Sequence, residues 1–262
     1  MKLKIWNGTI PFYLDDADSP NSFETFLIDT DKPLPCVVVL PGGGYRNRAA
    51  HEGAPIAQFF NTQGLHAVVV DYRVHPNRFP SGLSDVQRVV RTVRQHAKEW
   101  NIDPDRIVIC GFSAGGHLAA SSILYGDVYS SVLDSKDEAD SLDHMPNGAI
   151  LCYPVISVEN DFGHEPSGKY LLGEKYEECK KDFFLAKHIT EKTPKVFMWH
   201  TSDDQTVNVK NSLVFGEYLR DNGIPFELHV YPHGKHGLGL APDHDDVKAW
   251  ATLAADWVKR SI

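Results

Sequence analysis

Residues 106–117 read Arg106-Ile107-Val108-Ile109-Cys110-Gly111-Phe112-Ser113-Ala114-Gly115-Gly116-His117. Arg106 to Cys110 has the β-branched, apolar character of a buried strand, and the small residues from Ala114 to Tyr125 suit a helix that packs close to a sheet. Between them Gly111-Phe112-Ser113-Ala114-Gly115 has the G-x-S-x-G form of a nucleophile elbow, in the strand–turn–helix context that the form requires. A serine at the apex of so tight a turn is strained, and side chains at the flanking glycines would strike the neighbouring strand or helix. A nucleotide-binding glycine turn is the bland alternative. The strand before and the helix after favour the elbow.

Outward from the elbow, short apolar runs alternate with helical patterns. Val37-Val38-Val39-Leu40 is a strand stopped by Pro41 and three glycines, and Ala67-Val68-Val69-Val70 is apolar on both faces and so central. Downstream, strands are expected at 149–152, 196–199 and 227–230. Helices are expected from Pro55 to Gln63, from Ser84 with Val86, Val89, Val90, Val93, Ala97 and Trp100 on one face, and before the stop signal Asn222-Gly223-Ile224-Pro225. Ser84 and Gln87 read as a capping box. A closing helix carries Val247, Trp250, Ala251, Ala254, Trp257 and Val258. Phe23 to Ile28 and Ile10 to Tyr13 read as antiparallel edge strands. The pattern predicts an α/β fold with a mostly parallel sheet of about eight strands and helices on both faces, as one domain over residues 1–262. Two segments interrupt it. Residues 127–147, with six carboxylates and one lysine, read as a solvated loop. Residues 155–193 read as a cap insertion beside the site, because long loops in compact domains are usually functional.

The net charge of -9, without a Lys/Arg cluster, argues against nucleic-acid and anionic-membrane partners. No apolar run has signal-peptide or membrane-spanning length. Cys36, Cys110, Cys152 and Cys179 form no C-x-x-C pair, and three lie in strand-like runs, which favours buried reduced thiols. The 13 histidines include no H-E-x-x-H or comparable ligand cluster, so neither metal nor cofactor is expected. A cytoplasmic protein is the resulting expectation. An exposed edge strand near the N-terminus could pair in a homodimer.

A serine hydroxyl is a weak nucleophile near neutral pH, so it needs a base, and the base needs an orienting carboxylate. Asp203 and Asp204 follow the strand ending at Trp199, and His233 and His236 follow the strand ending at Val230. Both pairs stand at the strand C-termini where such sheets build their sites. Spacing alone leaves the choice within each pair open. Arg73, Asp85, His51, Glu52 and His117 fall near these loops, each with an ordinary role available as a salt bridge, helix-start charge or surface side chain.

Pro41-Gly42-Gly43-Gly44-Tyr45, Asp71-Tyr72-Arg73-Val74, Asp103-Pro104-Asp105-Arg106-Ile107, the serine elbow, His200 to Val207 and His236-Gly237-Leu238 together carry a resemblance. The chain resembles the acetyl-xylan-esterase-like and feruloyl-esterase-like branch of the α/β-hydrolases, close to the hormone-sensitive-lipase-like carboxylesterases. That resemblance implies the α/β-hydrolase fold, a cofactor-free serine carboxylesterase and a small-molecule ester substrate, with short acyl groups on sugars or xylo-oligosaccharides as the expected class. It implies Ser113 as nucleophile, Asp204 as acid, His236 as base, and the backbone N–H groups of Gly43, Gly44 and Ala114 as an oxyanion hole. Asp203 is then expected to cap a turn. Pro41 stands where the family's HGGG motif usually has histidine. Two other readings use the same residues: a peptidase of the prolyl-oligopeptidase type, whose propeller the residues before 36 are too few to form, and a non-catalytic binding protein on the same fold.

Overall fold

The computed structural model describes residues 1–14, 21–133, 135–159 and 161–262. Its eight strands are β1 (Lys2–Lys4), β2 (Ser22–Phe26), β3 (Leu34–Leu40), β4 (His66–Asp71), β5 (Ile102–Phe112), β6 (Gly148–Cys152), β7 (Lys195–Thr201) and β8 (Phe226–Tyr231). They form one sheet in the order β1-β2-β4-β3-β5-β6-β7-β8. β3 to β8 run parallel, and β1 and β2 add antiparallel at one edge. Val37 to Leu40 and Ile107 to Cys110 are fully buried, as expected of parallel strands covered on both faces.

The helices are α1 (Ala54–Thr62), α2 (Ser81–Gln95), α3 (Ala114–Leu124), α4 (Glu165–Leu172), α5 (Tyr176–Cys179), α6 (Lys210–Asp221) and α7 (Ala249–Ser261). Val37, Val39, Val108 and Cys110 pack under residues of α1 and α7. Val38, Leu40, Ile107 and Ile109, from the alternate pleat positions, pack under α2, α3 and α6. From β3 the chain steps outward to β4, then crosses back to β5 on the other side of β3. The C-terminal ends of β3 and β5, paired at Leu40 and Gly111, thus meet where the winding reverses, which is where open α/β sheets leave a crevice. None of the described helices is long and apolar enough to cross a membrane.

Three local expectations change. α2 begins at Ser81, so Ser84 lies inside the helix and donates to the Ser81 carbonyl at 2.7 Å, while Gln87 bonds Gly126 O and Val128 N–H. No capping box forms, because the buried guanidinium of Arg73 gathers Ser81 O, Ser84 Oγ and Asp85 around itself and so anchors the first turn. The helix also stops at Gln95, short of Trp100. Ile10 to Tyr13 forms no strand, since the Pro11 and Phe12 carbonyls accept from Arg73 at 2.8 and 3.3 Å, and β1 takes the edge beside β2. The 127–147 segment leaves Asp127, Asp137, Glu138 and Asp143 exposed, as a solvated loop would, but it is tied to the core: Arg88 of α2 binds Asp137 and the buried Asp140, Arg91 binds Asp127 at 2.7 Å, and Tyr129 is buried beneath Arg91.

Candidate active site

Ser113 takes φ 54° and ψ −116°, a positive φ that a side chain rarely adopts and that costs on the order of 1–3 kcal/mol. The turn is held by Ser113 N–H donating to Cys152 O and by Ser113 O accepting from His117 and Val155 N–H. The glycines beside it leave no choice. A Cβ on Gly111 would lie 2.1 Å from Gly115 O, and one on Gly115 would lie 2.3 Å from Leu40 O.

The loops after β7 and β8 bring the second and third groups to this serine. His236 Nδ1 lies 2.6 Å from Asp204 Oδ2, and its Nε2 lies 2.8 Å from Ser113 Oγ. With the Nδ1 proton directed at a carboxylate, Nε2 keeps its lone pair for the serine hydroxyl. Asp204 Oδ1 accepts from Thr206 and Val207 N–H at 2.8 and 2.9 Å. Burial would push this carboxyl up, but bonds from His200, His236 and Val207 N–H outweigh it and hold the group well below the usual carboxylate range. His200 is itself pinned, with Nδ1 on Ser212 Oγ and Nε2 on Val207 O.

Asp203 and His233 sit apart from this line. Asp203 accepts from His233 Nδ1 at 3.0 Å and from Gly234 N–H at 2.8 Å, and the His233 side chain is 83% exposed. Asp203 thus ties the β7 loop to the β8 loop, and it is Asp204 Oδ1 that accepts from the Thr206 and Val207 N–H groups of the turn.

The glycine loop after β3 closes over the serine. A Cβ on Gly42 would lie 3.1 Å from Ser113 Cβ. The N–H groups of Gly43, Gly44 and Ala114 have no protein acceptor among the described residues, which leaves them free to receive a negative oxygen. Without a histidine at Pro41, the loop is held from other directions. Tyr72 donates to Pro41 O, Glu52 accepts from Gly42 N–H, and the Tyr45 hydroxyl bonds His117 Nδ1 at 2.8 Å. Burial pushes the His117 imidazole down to about 3, so it is neutral here.

From the 155–193 segment, His164 and Ser167 approach the same centre. Ser167 Oγ lies 3.9 Å from where a Gly44 side chain would begin, and it bonds His164 Nδ1 at 2.7 Å. Burial and the neighbouring His236 hold the His164 imidazole below its ordinary range. A cavity of about 890 Å³ lined by Arg78, Phe79, Tyr125, Lys175, Phe183 and His188 includes none of the three relay residues. No group of three or more His, Cys, Asp or Glu among the described residues is placed to hold a metal ion. The sequence offers Tyr45 and Tyr72 only as parts of motifs and Glu52 only ordinary roles, and it does not single out Tyr153. Tyr153 does carry a signal, standing directly after β6, the strand beside the elbow's own.

A sheet wound in this order, with a serine raised at the turn after its central strand, is the α/β-hydrolase fold. Within that class the chain belongs to the BD-FAE family, whose family model matches residues 28–219. A solved structure of an acetyl ester-xyloside bifunctional hydrolase from Caldicellulosiruptor lactoaceticus is 41% identical, with a TM-score of 0.92 over 99% of this chain and 95% of that one. An endo-1,4-beta-xylanase B from Butyrivibrio fibrisolvens is 37% identical over 231 residues, 86% of this chain and 35% of that protein. An acetylxylan esterase from Xylanibacter ruminicola is 34% identical over 212 residues, 78% of this chain and 41% of that protein. The chain therefore spans well under half the length of these two curated relatives.

Proposed function

We propose that the chain is a serine carboxylic ester hydrolase that removes short acyl groups, acetyl foremost, from sugars or short xylo-oligosaccharides. The observation that carries this reading is His236, which reaches Ser113 Oγ and Asp204 Oδ2 at once, at 2.8 and 2.6 Å. His236 Nε2 takes the hydroxyl proton as Ser113 Oγ forms a bond to the ester carbonyl carbon. The carbonyl π pair moves onto oxygen, which the N–H groups of Gly43, Gly44 and Ala114 receive. Collapse of that adduct breaks the C–O bond to the alcohol, which leaves with the proton from His236. Water, deprotonated by the same imidazole, then cleaves the acyl-enzyme by the reverse sequence. Asp204, held ionised, fixes the tautomer and favours the imidazolium formed in each half.

Residues 155–193 act as a cap, with Ser167 beside Gly44 limiting room next to the oxyanion loop and so favouring a short acyl chain. The sugar assignment rests on the acetyl ester-xyloside hydrolase and the acetylxylan esterase among the similar proteins. A p-nitrophenyl ester series from acetate to octanoate, followed by acetylated xylo-oligosaccharides and an acyl-peptide, tests both parts. The acetate should turn over fastest, and Ser113→Ala should abolish turnover and labelling by an organophosphonate. Unlabelled Ser113 in folded protein refutes the relay, faster cleavage of the acyl-peptide favours the peptidase reading, and sugar deacetylation at background rate refutes the substrate class.

A further inference from the structure

Glu52 and Tyr153 lie outside the relay, yet between them they touch both loops that complete it. Glu52 is 2% exposed; its Oε2 accepts from Gly42 N–H at 2.7 Å and its Oε1 accepts from the Tyr153 hydroxyl at 2.6 Å. The same Tyr153 oxygen accepts from Gly239 N–H at 3.0 Å, in the loop that carries His236. The Tyr153 ring meets the His236 ring edge-on at 5.0 Å. His51, next to Glu52, adds a parallel tie from its Nε2 to Gly237 O at 2.9 Å.

We propose that Glu52 and Tyr153 are positioning residues, a polar bridge from Gly42 to Gly239 that sets the oxyanion loop and the base loop in register around Ser113. This rests on the relay reading given above. Gly43 and Gly44 both take positive φ; within the loop Gly42 O accepts from Ala49 N–H and Gly43 O from Arg46 and Asn47 N–H, which turns the planes carrying the Gly43 and Gly44 N–H groups but does not place the loop against the base loop. The Gly42 N–H is committed to the buried Glu52 carboxylate, which anchors the start of the loop, while the N–H groups of Gly43 and Gly44 have no protein acceptor among the described residues. A buried carboxylate is expensive unless its oxygens are satisfied, and among the described residues Glu52 has no Lys or Arg partner. The fold keeps it with one short bond to each oxygen, at a place where an apolar pair would pack more cheaply. Tyr153 is restricted to the bridging role because its oxygen receives Gly239 N–H while its proton goes to Glu52. Burial and the Glu52 charge raise its pKa well above the ordinary phenol value, so that proton stays in place.

Tyr153→Phe and Glu52→Gln in the full chain separate positioning from simple stability. Phenylalanine keeps the ring packing but breaks the chain of bonds, and glutamine presents an amide donor where one oxygen accepted. With active sites counted by organophosphonate labelling, each variant should lose roughly tenfold or more in kcat per labelled site on p-nitrophenyl acetate, with KM within about twofold. The inhibition constant of a boronic acid, whose tetrahedral adduct places an oxygen in the hole, should rise by about the same factor as kcat/KM falls. The double variant should be no worse than the poorer single one, because either change breaks the same chain. Wild-type kcat per labelled site in Tyr153→Phe, or losses confined to the number of labelled sites, would overturn the bridge as a positioning device. Wild-type protein that is folded but neither labels at Ser113 nor cleaves any ester overturns the relay itself and the bridge with it.

Discussion

Replacing Asp204 by asparagine changes one atom at the centre of the relay and leaves the rest of its bonding available. The amide oxygen can stay where Oδ1 accepts from Thr206 and Val207 N–H, so the turn after β7 keeps its cap. The amide nitrogen then replaces Oδ2, 2.6 Å from His236 Nδ1, and two donors would face each other. The imidazole avoids this by moving its proton to Nε2, the atom 2.8 Å from Ser113 Oγ. In that tautomer no lone pair is available for the serine proton. Loss of the correct tautomer costs about 10⁴-fold in kcat in Ser-His-Asp enzymes, about 5.5 kcal/mol of transition-state stabilisation, and the same loss is expected here. The measurement is kcat on p-nitrophenyl acetate per phosphonate-labelled site, with Asp203→Asn as companion. The Asp203 carboxylate is bonded to the exposed His233 and to Gly234 N–H and not to His236, so its variant should stay within about threefold of wild type. A fall of less than about tenfold in Asp204→Asn, or a larger fall in Asp203→Asn, would refute the assignment of the acid.

Three further outcomes follow from the packing and the charges. Gly115→Ala drives a Cβ against the Leu40 and Pro41 carbonyls at 2.3 and 2.6 Å, backbone atoms that cannot turn aside, so urea unfolding should show a loss of ~3 kcal/mol or more; wild-type stability would contradict the packing of elbow on loop. Arg73→Met strips the partner from the buried Asp85 and frees the Pro11 and Ser81 carbonyls, and guanidinium unfolding should register a loss of about 3–5 kcal/mol with kcat per labelled site unchanged. His117 supplies a pH dependence: burial depresses its folded pKa to about 3 from the ordinary imidazole value, so the unfolded chain takes up a proton that the folded one refuses. The stability from keeping it neutral is complete above pH ~6.5 and is lost as pH falls toward 3, by up to about 1.4 kcal/mol per unit. His117→Gln should flatten the slope of unfolding free energy between pH 6 and 4 by that amount, and an unchanged slope would show that His117 is protonated in the folded protein.

The parallel strands β3 to β8 and the elbow are legible in the sequence because each is written in neighbouring residues. Val37 to Leu40 is apolar without interruption because a parallel strand is covered on both faces. Ser113 announces itself through Gly111 and Gly115, whose missing side chains answer contacts that the turn makes with itself and with β3. The capping box at Ser84 was misread because the start of α2 is set by Arg73, which lies on another segment and draws Ser81, Ser84 and Asp85 around one guanidinium. Ile10 to Tyr13 was misread for the same reason, its carbonyls being claimed by that arginine. The anchoring of the 127–147 segment is not legible locally, because nothing near Asp127, Asp137 and Asp140 in the chain shows that Arg88 and Arg91 face them.

The choice between Asp203 and Asp204 is the sharpest case. Two adjacent aspartates are equivalent in composition and almost so in spacing; in the turn after β7 both reach the loop after β8, Asp203 at His233 and Gly234 and Asp204 at His236, and that difference exists only in the folded chain. Glu52 and Tyr153 carry the point furthest. Their chain of bonds joins residues 42, 52, 153 and 239, distant in sequence and brought together only by the winding of the sheet. Local sterics and periodicity are enough to specify the parallel sheet and the elbow, because each is encoded in residues adjacent along the chain. Which atoms face each other, and what holds them there, depended on long-range contacts that exist only in the folded chain.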